Sequence, residues 1–412
     1  MDIISAKDRE ILRELANHQL ELANSPENEE IMKKWDCIAK GKMGAPTVRF
    51  LVSNFTNETI EPRLRCEGEA AREIESQLLF TASGRDLFGD DTPITDEYVV
   101  KLNTWVMPFG NDPDLLRAKG ENAKGFHINP IIEDLEDDFD KFKPGFFGAD
   151  LSVTEEKIST AQDVFGDILH VKAGMDSLTG AITNPLVHLM GMENYYVSMY
   201  DYPELLHQVM DNATRVFESY YDFLEEKGLL LPTNGVRAVA QESFAFNSEL
   251  PTDKAVKTTD VWGFLESQET TAVSPDTFAE FVFPYQERLA KRFGLLSYGC
   301  CERVDAIWPQ ISKWKNLRKL SVSPFNNEPQ VGEYLRGTNV VYYSKPRSEF
   351  VTLPGPLDED AIRGCFKKIA EAASGCMLEI AQREVGTIFR DYERGRRYVQ
   401  LAKETVEKYW KP

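Results

Sequence analysis

A chain of 412 residues exceeds the usual single-domain size, yet an α/β barrel with an extension accommodates it around one core. A net charge of −20 excludes the basic patch that nucleic acid or an anionic membrane requires. Hydrophobic residues make up 42%, ample for a core, and no stretch approaches the ~20 apolar residues of a membrane span. The opening Met1-Asp2-Ile3-Ile4-Ser5 carries an acid and no apolar leader, so the expected location is the cytoplasm. Cys37, Cys66, Cys300, Cys301, Cys365 and Cys376 show no CxxC spacing and are expected to be reduced. No histidine follows His207, so a site built by the later elements must draw on Cys, Glu, Asp, Gln or Tyr.

In chain order, residues 6–43 show two helical patterns broken near Asn24-Ser25-Pro26, an N-terminal extension over residues 1–45. Strands are predicted at 46–52, 96–102, 165–171, 260–265, 294–299, 317–322, 339–343 and 376–381. Helical patterns fill 67–82, 203–227 and 275–292, the last with Ser274 as cap and Pro275 at its first position. Residues 108–160 read as loop-rich excursions, and 230–257 as an inserted hairpin with Val236–Gln241 as one arm. Eight strands alternating with helices predict a (β/α)₈ TIM barrel over residues 46–412.

In such a barrel the loops after the strands converge on one rim, where chemistry is done. Tyr298-Gly299-Cys300-Cys301-Glu302 ends the fifth strand, and thiolate with carboxylate is a donor set that zinc accepts. Cys300, Glu266, Glu269 and Glu384 are the expected metal ligands, leaving a vacant position for a substrate heteroatom. Tyr298, Glu302 and Gln382 are the expected catalytic side chains. Trp262, Asn326, Tyr343, Lys345 and Arg347 are the expected substrate-binding residues, the two cations serving a carboxylate or phosphate. Competing readings stand beside these. The glutamates at 266 and 269 also suit rim ion pairs, Glu384 suits Arg390 or Arg394, and Lys345 and Arg347 suit exposed loops. Cys301, next in line to Cys300, is expected to point away and to matter little.

Three blocks carry a resemblance to a known family. They are Gly191-Met192-Glu193-Asn194 with Pro203-Glu204-Leu205-Leu206-His207; Ser274-Pro275-Asp276-Thr277-Phe278-Ala279-Glu280-Phe281 with Pro284-Tyr285; and Tyr298-Gly299-Cys300-Cys301-Glu302. Together they resemble the uroporphyrinogen decarboxylase superfamily, closest to its cobalamin-dependent methyltransferases of the methylcobalamin:coenzyme M type. The resemblance implies a TIM barrel and a zinc-activated methyl transfer. It sets Cys300 on the family's first cysteine ligand and Tyr298 where the family has a histidine. Cys376 lies at the start of the last strand rather than after it, so Gln382 or Glu384 is better placed.

The expected function is therefore zinc-assisted methyl transfer between a small ether, thiol or amine and a corrinoid protein. The cobalamin belongs to that partner, because no Asp-x-His-x-x-Gly is present. The expected partners are the corrinoid protein and a small methyl donor or acceptor, with no nucleic acid and no membrane, and a homodimer is compatible. The alternatives are a decarboxylase of a small carboxylic acid and a non-catalytic binding protein on the same barrel.

Overall fold

Apolar runs that alternate with helices lie side by side as parallel strands in the computed structural model, which describes residues 4–117 and 125–412. The strands are β1 Thr47–Phe50, β2 Glu97–Lys101, β3 Thr104–Met107, β4 Asp114–Arg117, β5 Phe126–Asn129, β6 Phe146–Ala149 and β7 His170–Gly174. They continue with β8 Leu178–Thr179, β9 Trp262–Leu265, β10 Leu295–Tyr298, β11 Leu317–Val322, β12 Val341–Ser344 and β13 Leu378–Gln382. Seven form one sheet in the order β1-β13-β12-β11-β10-β9-β8, and every neighbouring pair is parallel. β2 pairs in parallel with β7 in a separate ladder, and the excursion carries two antiparallel pairs, β3/β6 and β4/β5. No described helix is long and apolar enough to cross a membrane.

The strand expected at 165–171 is displaced. Phe165 instead ends the helix Leu151–Phe165 and packs edge-on to Tyr98, so its apolar signal belongs to that helix. The helical pattern at 275–292 divides at Val282 into Pro275–Phe281 and Phe283–Ala290, with Pro284 unable to donate into the first helix. The excursion, read as loops, holds those antiparallel pairs, and part of it (118–124) lies outside the described residues.

A closed eight-stranded ladder is not formed among the described residues: β7 and β8 are not paired, and the facing edges of β1 and β2 are capped separately. On β1, Val48 N donates to Asp91 Oδ2 and Phe50 N to Asp90 Oδ2, both at 2.8 Å. On β2, the carbonyls of Glu97 and Val99 accept from the Gln19 and Gln77 amides at 3.0 and 2.8 Å. Satisfied edges of this kind cannot template each other.

The period-2 alternation of the sheet gives two faces. Phe50, Tyr298, Tyr342 and Gln382 turn toward the helices, as Phe50 and Gln382 show by meeting Tyr398 of the helix Tyr392–Tyr409. Arg49, Trp262, Lys319, Tyr343 and Glu379 occupy the opposite, inner face. The inserted segment fills that face. Its tip residues Gln241 and Glu242 have φ of +46° and +68°, with one antiparallel bridge between Ala238 and Phe244. Trp262 Nε1 donates to Ala245 O, and the Tyr343 hydroxyl to Gln241 O. The helices Ala6–Ala23 and Pro26–Ala39, each capped by a serine, break at Asn24. Trp35 of the second stacks on Phe246 with centroids 5.2 Å apart.

Lys319 and Glu379, fully buried, meet at 2.8 Å, and Lys319 Nζ also donates to Ser243 Oγ at 2.6 Å and to Phe244 O. Burial lowers the lysine pKa and Glu379 opposes that shift. Lys319→Met strands Glu379 in the interior and should cost about 3–5 kcal/mol in urea unfolding. The double variant Lys319→Met/Glu379→Met should recover most of that loss; equal destabilisation of single and double variants would show that the pair does not anchor the segment.

Candidate active site

The four residues of β10 are all buried, and Gly299 follows at φ +101°, a conformation that side chains rarely adopt. A Cβ there would also meet Val304 Cγ1 at 3.1 Å and Ser321 Cβ at 3.3 Å. The turn ends the strand alternation, so the next two residues are free of its period. Cys300 and Cys301 accordingly lie with their sulfurs 3.7 Å apart, which corrects the expectation that Cys301 points away.

Glu302 fixes this loop. Its Oε2 accepts from Cys300 N at 2.6 Å and its Oε1 from Ser267 N at 2.8 Å, so one carboxylate joins the loops after β10 and β9. Cys300 Sγ lies 3.0 Å from Gln268 Oε1 and 3.7 Å from Cys301 Sγ, so its one S–H is divided between these two acceptors. Lys345, beyond β12, gives its ammonium to Cys300 O and, at 2.6 Å, to Gln241 Oε1 of the inserted tip. The Cys301 carbonyl accepts from Ser323 Oγ at 3.1 Å.

Charge in this pocket is strongly perturbed. The Cys300 S–H hydrogen-bonds to the Cys301 sulfur, which holds the Cys301 thiol down at about 7 against its burial, with Lys345 helping. The same bond raises Cys300, so the pair shares one proton. Burial, then the charges of Glu269 and Glu302, push Glu266 well above the carboxylate range. Burial also raises Glu302 against the backbone N–H groups it accepts from, and lowers Lys345 against the thiols that favour its charge.

Of the residues expected at the site, the structure gathers Cys300, Glu302, Glu266 and Lys345. Tyr298 is corrected: it is the last strand residue on the helix side, 3.0 Å from Ser267 Oγ and edge-on to Trp314. Gln382 is corrected on the same ground, holding the Tyr398 hydroxyl and the carbonyls of Pro346 and Arg383. Trp262 and Tyr343 pack the inserted segment rather than a substrate wall. Asn326 clamps the thiol loop, its amide donating to Glu302 O at 3.3 Å and Ser323 Oγ at 2.9 Å. Arg347 is exposed and pairs with Glu349. Gln268 lies on the rim after the fourth strand, where the sequence places it with Glu266 and Glu269, and two residues were missed: Gln241 and Arg383. Arg383 follows β13 with its Nε buried and without a hydrogen-bond partner, and its charge acts on Lys345.

These contacts already occupy most of the donors a zinc ion would need. Both oxygens of Glu302 are held by backbone, and those of Glu269 accept from Thr183 Oγ1 at 2.7 Å and Asn184 Nδ2 at 2.8 Å. Glu384 is largely exposed and meets Arg383 at 3.7 Å, and its charge reaches the Cys301 thiol. Among the described residues no three His, Cys, Asp or Glu side chains stand where one metal ion could take them. The expected set of Cys300, Glu266, Glu269 and Glu384 does not fit zinc in this arrangement.

No family model matches the chain, and no curated protein matches its sequence. Among solved structures it is similar to a methyltransferase from Methanosarcina mazei, at 16% identity and a TM-score of 0.51, over 91% of this chain and 98% of that one. A B12-independent methionine synthase from Shewanella sp. W3-18-1 matches at 11% identity and a TM-score of 0.35, over 64% of this chain and 69% of that one. The first likeness spans nearly the whole of both chains and establishes a shared fold. The chain is an α/β protein with a parallel central sheet of that type.

The shared proton makes a measurable statement. The rate of Cys301 alkylation by iodoacetamide should rise with pH through a midpoint near 7. Cys300→Ala removes the donated S–H and should move that midpoint up by about one unit or more. An unmoved midpoint would mean that the two sulfurs do not share a proton.

Proposed function

We propose that this chain is a methyltransferase that moves a methyl group between a small ether, thiol or amine and the corrinoid of a partner protein. We read the fold as a (β/α)₈ barrel whose ladder is open between β1 and β2 and again between β7 and β8, in keeping with the superfamily its motifs resemble. The observation that carries the reading is the thiol pair, with one thiolate available near neutral pH at the end of a central parallel strand. A thiolate is the protein nucleophile best suited to in-line attack at carbon. Cys301 would take the methyl on its sulfur while the electron pair of the broken bond stays with the partner's corrinoid. It would then be displaced as thiolate by the small acceptor's heteroatom, recovering the acceptor's proton; Cys300 stabilises that thiolate through the shared proton. Glu266, kept protonated by burial, holds a proton for a departing heteroatom.

A zinc ion would have to draw both sulfurs together with a carboxylate released from its present hydrogen bonds. Metal analysis of the purified protein reads that directly. The non-catalytic alternative has one observation in its favour, the filling of the inner face by the inserted segment. Spectra of methylcobalamin with a small thiol acceptor separate the two. Cys301→Ser and Cys300→Ser should each slow demethylation by about a hundredfold or more, and Glu266→Gln by roughly tenfold or more. No turnover by the wild-type protein with corrinoid protein or free methylcobalamin would leave the binding-protein reading ahead.

A further inference from the structure

We propose that the open seam between β1 and β2 is a binding site for an elongated, largely apolar molecule with a single carboxylate, whose acid end sits on Arg49. The seam opens into a cavity of about 1070 Å³, within the range that holds small ligands or slightly above it. It lies apart from the thiol pair, between the capped edges of the two strands. Its walls include Ile74, Val99, Met175 and Phe244, with the exposed Phe80 and Val153 on the solvent side. The apolar lining suits a hydrocarbon body.

Arg49 supplies the charge. It is 5% exposed, and among the described residues no carboxylate oxygen stands within 4.0 Å of its guanidinium. Its cation is held instead by neutral contacts. The Phe244 ring lies 3.8 Å beneath it, Nη1 donates to Glu242 O, and Nε reaches Thr92 Oγ1 at 3.4 Å. Nη2 has no hydrogen-bond partner among the described residues. Asp90 feels the charge, but its oxygens accept from Phe50 N and Thr92 N. A buried cation without a counter-ion is costly, and a guanidinium with free N–H donors recognises a carboxylate.

Several other charges along the cavity are matched, while the acids Glu156 and Glu242 also line it. Glu97 takes Lys172 and Arg237, Lys101 takes Asp176, and Glu73 takes Lys157. Glu242 also lines the cavity, yet it meets Arg49 through its carbonyl rather than its carboxylate. One buried arginine with no carboxylate against it, beside apolar walls, selects a monoanion over a dianion or an amine.

The probes are octanoate, octanol and octylamine, titrated calorimetrically into the full-length protein. Octanoate should bind saturably at one site, at least tenfold tighter than octanol, with octylamine weakest. Arg49→Gln should weaken octanoate at least tenfold and leave octanol unchanged. Should that variant fail to fold, Phe80→Asp, at an exposed position on the solvent side, should also weaken octanoate by repulsion. Octanol or octylamine binding as tightly as octanoate would overturn the proposal, as would unchanged octanoate affinity in either folded variant. The titration reads binding rather than methyl transfer, so the site stands or falls independently of the activity proposed above.

Discussion

The buried Lys319–Glu379 pair decides where the inserted segment must lie. Neither charge reaches water, so the Ser243 hydroxyl and Phe244 carbonyl become obligatory partners of the ammonium. A segment pinned at 243 and 244 must bring its tip between β12 and β1. Gln241 then takes Lys345 on its side chain and the Tyr343 hydroxyl on its backbone, while Glu242 takes Arg49 on its carbonyl. The two left-handed residues at the tip are uncommon for side chains with a Cβ, and these three contacts offset their cost.

The thiol site depends on a second junction of the same kind. Glu302 does for the loops after β9 and β10 what a strand ladder does below them, because its two oxygens accept one N–H from each. Gly299 then allows the chain to leave the sheet plane without clashing with Ser321 of β11. Both sulfurs come to one side as a result, and the proton between them has a defined place. A carboxylate occupied in this way is a positioning group, not a spare ligand. That is also why an acid next to two cysteines, which reads in sequence as a metal donor, is unavailable to a metal here.

Strand positions were largely legible because buried parallel strands are continuous apolar runs bounded by turn residues. Leu317–Val322 was placed to the residue. The failures have separate physical origins. Phe165 carries the same apolar signal at a helix end as at a strand start. Tyr298 and Gln382 were placed at strand ends correctly, but which face each took depends on the register of the last strand residue, and that is fixed by neighbouring strands. Cys301 was misdirected by carrying period-2 alternation past Gly299, where it no longer holds. The open seam had no local signature, since Gln19, Gln77, Asp90 and Asp91 cap the strand edges from elsewhere in the chain.

The interior reverses the charge of the exterior on one side only. The chain carries 67 acids against 47 lysines and arginines, yet Arg49, Lys319, Lys345 and Arg383 lie together along β1, β11, β12 and β13, with Glu379 as the acid on those strands. Across the site, the loops after β9 and β10 carry Glu266, Glu269 and Glu302. Lys345 stands at the boundary, touching the Cys300 carbonyl from the cationic side. A field directed this way favours negative charge on Cys301, while burial keeps Glu266 neutral behind it. An anion approaching along the cationic wall meets less opposition than the overall charge of −20 would suggest. The same polarity thus suits both a thiolate at the strand ends and a carboxylate at the seam, and one inserted tip, Gln241–Glu242, sets the cation that serves each.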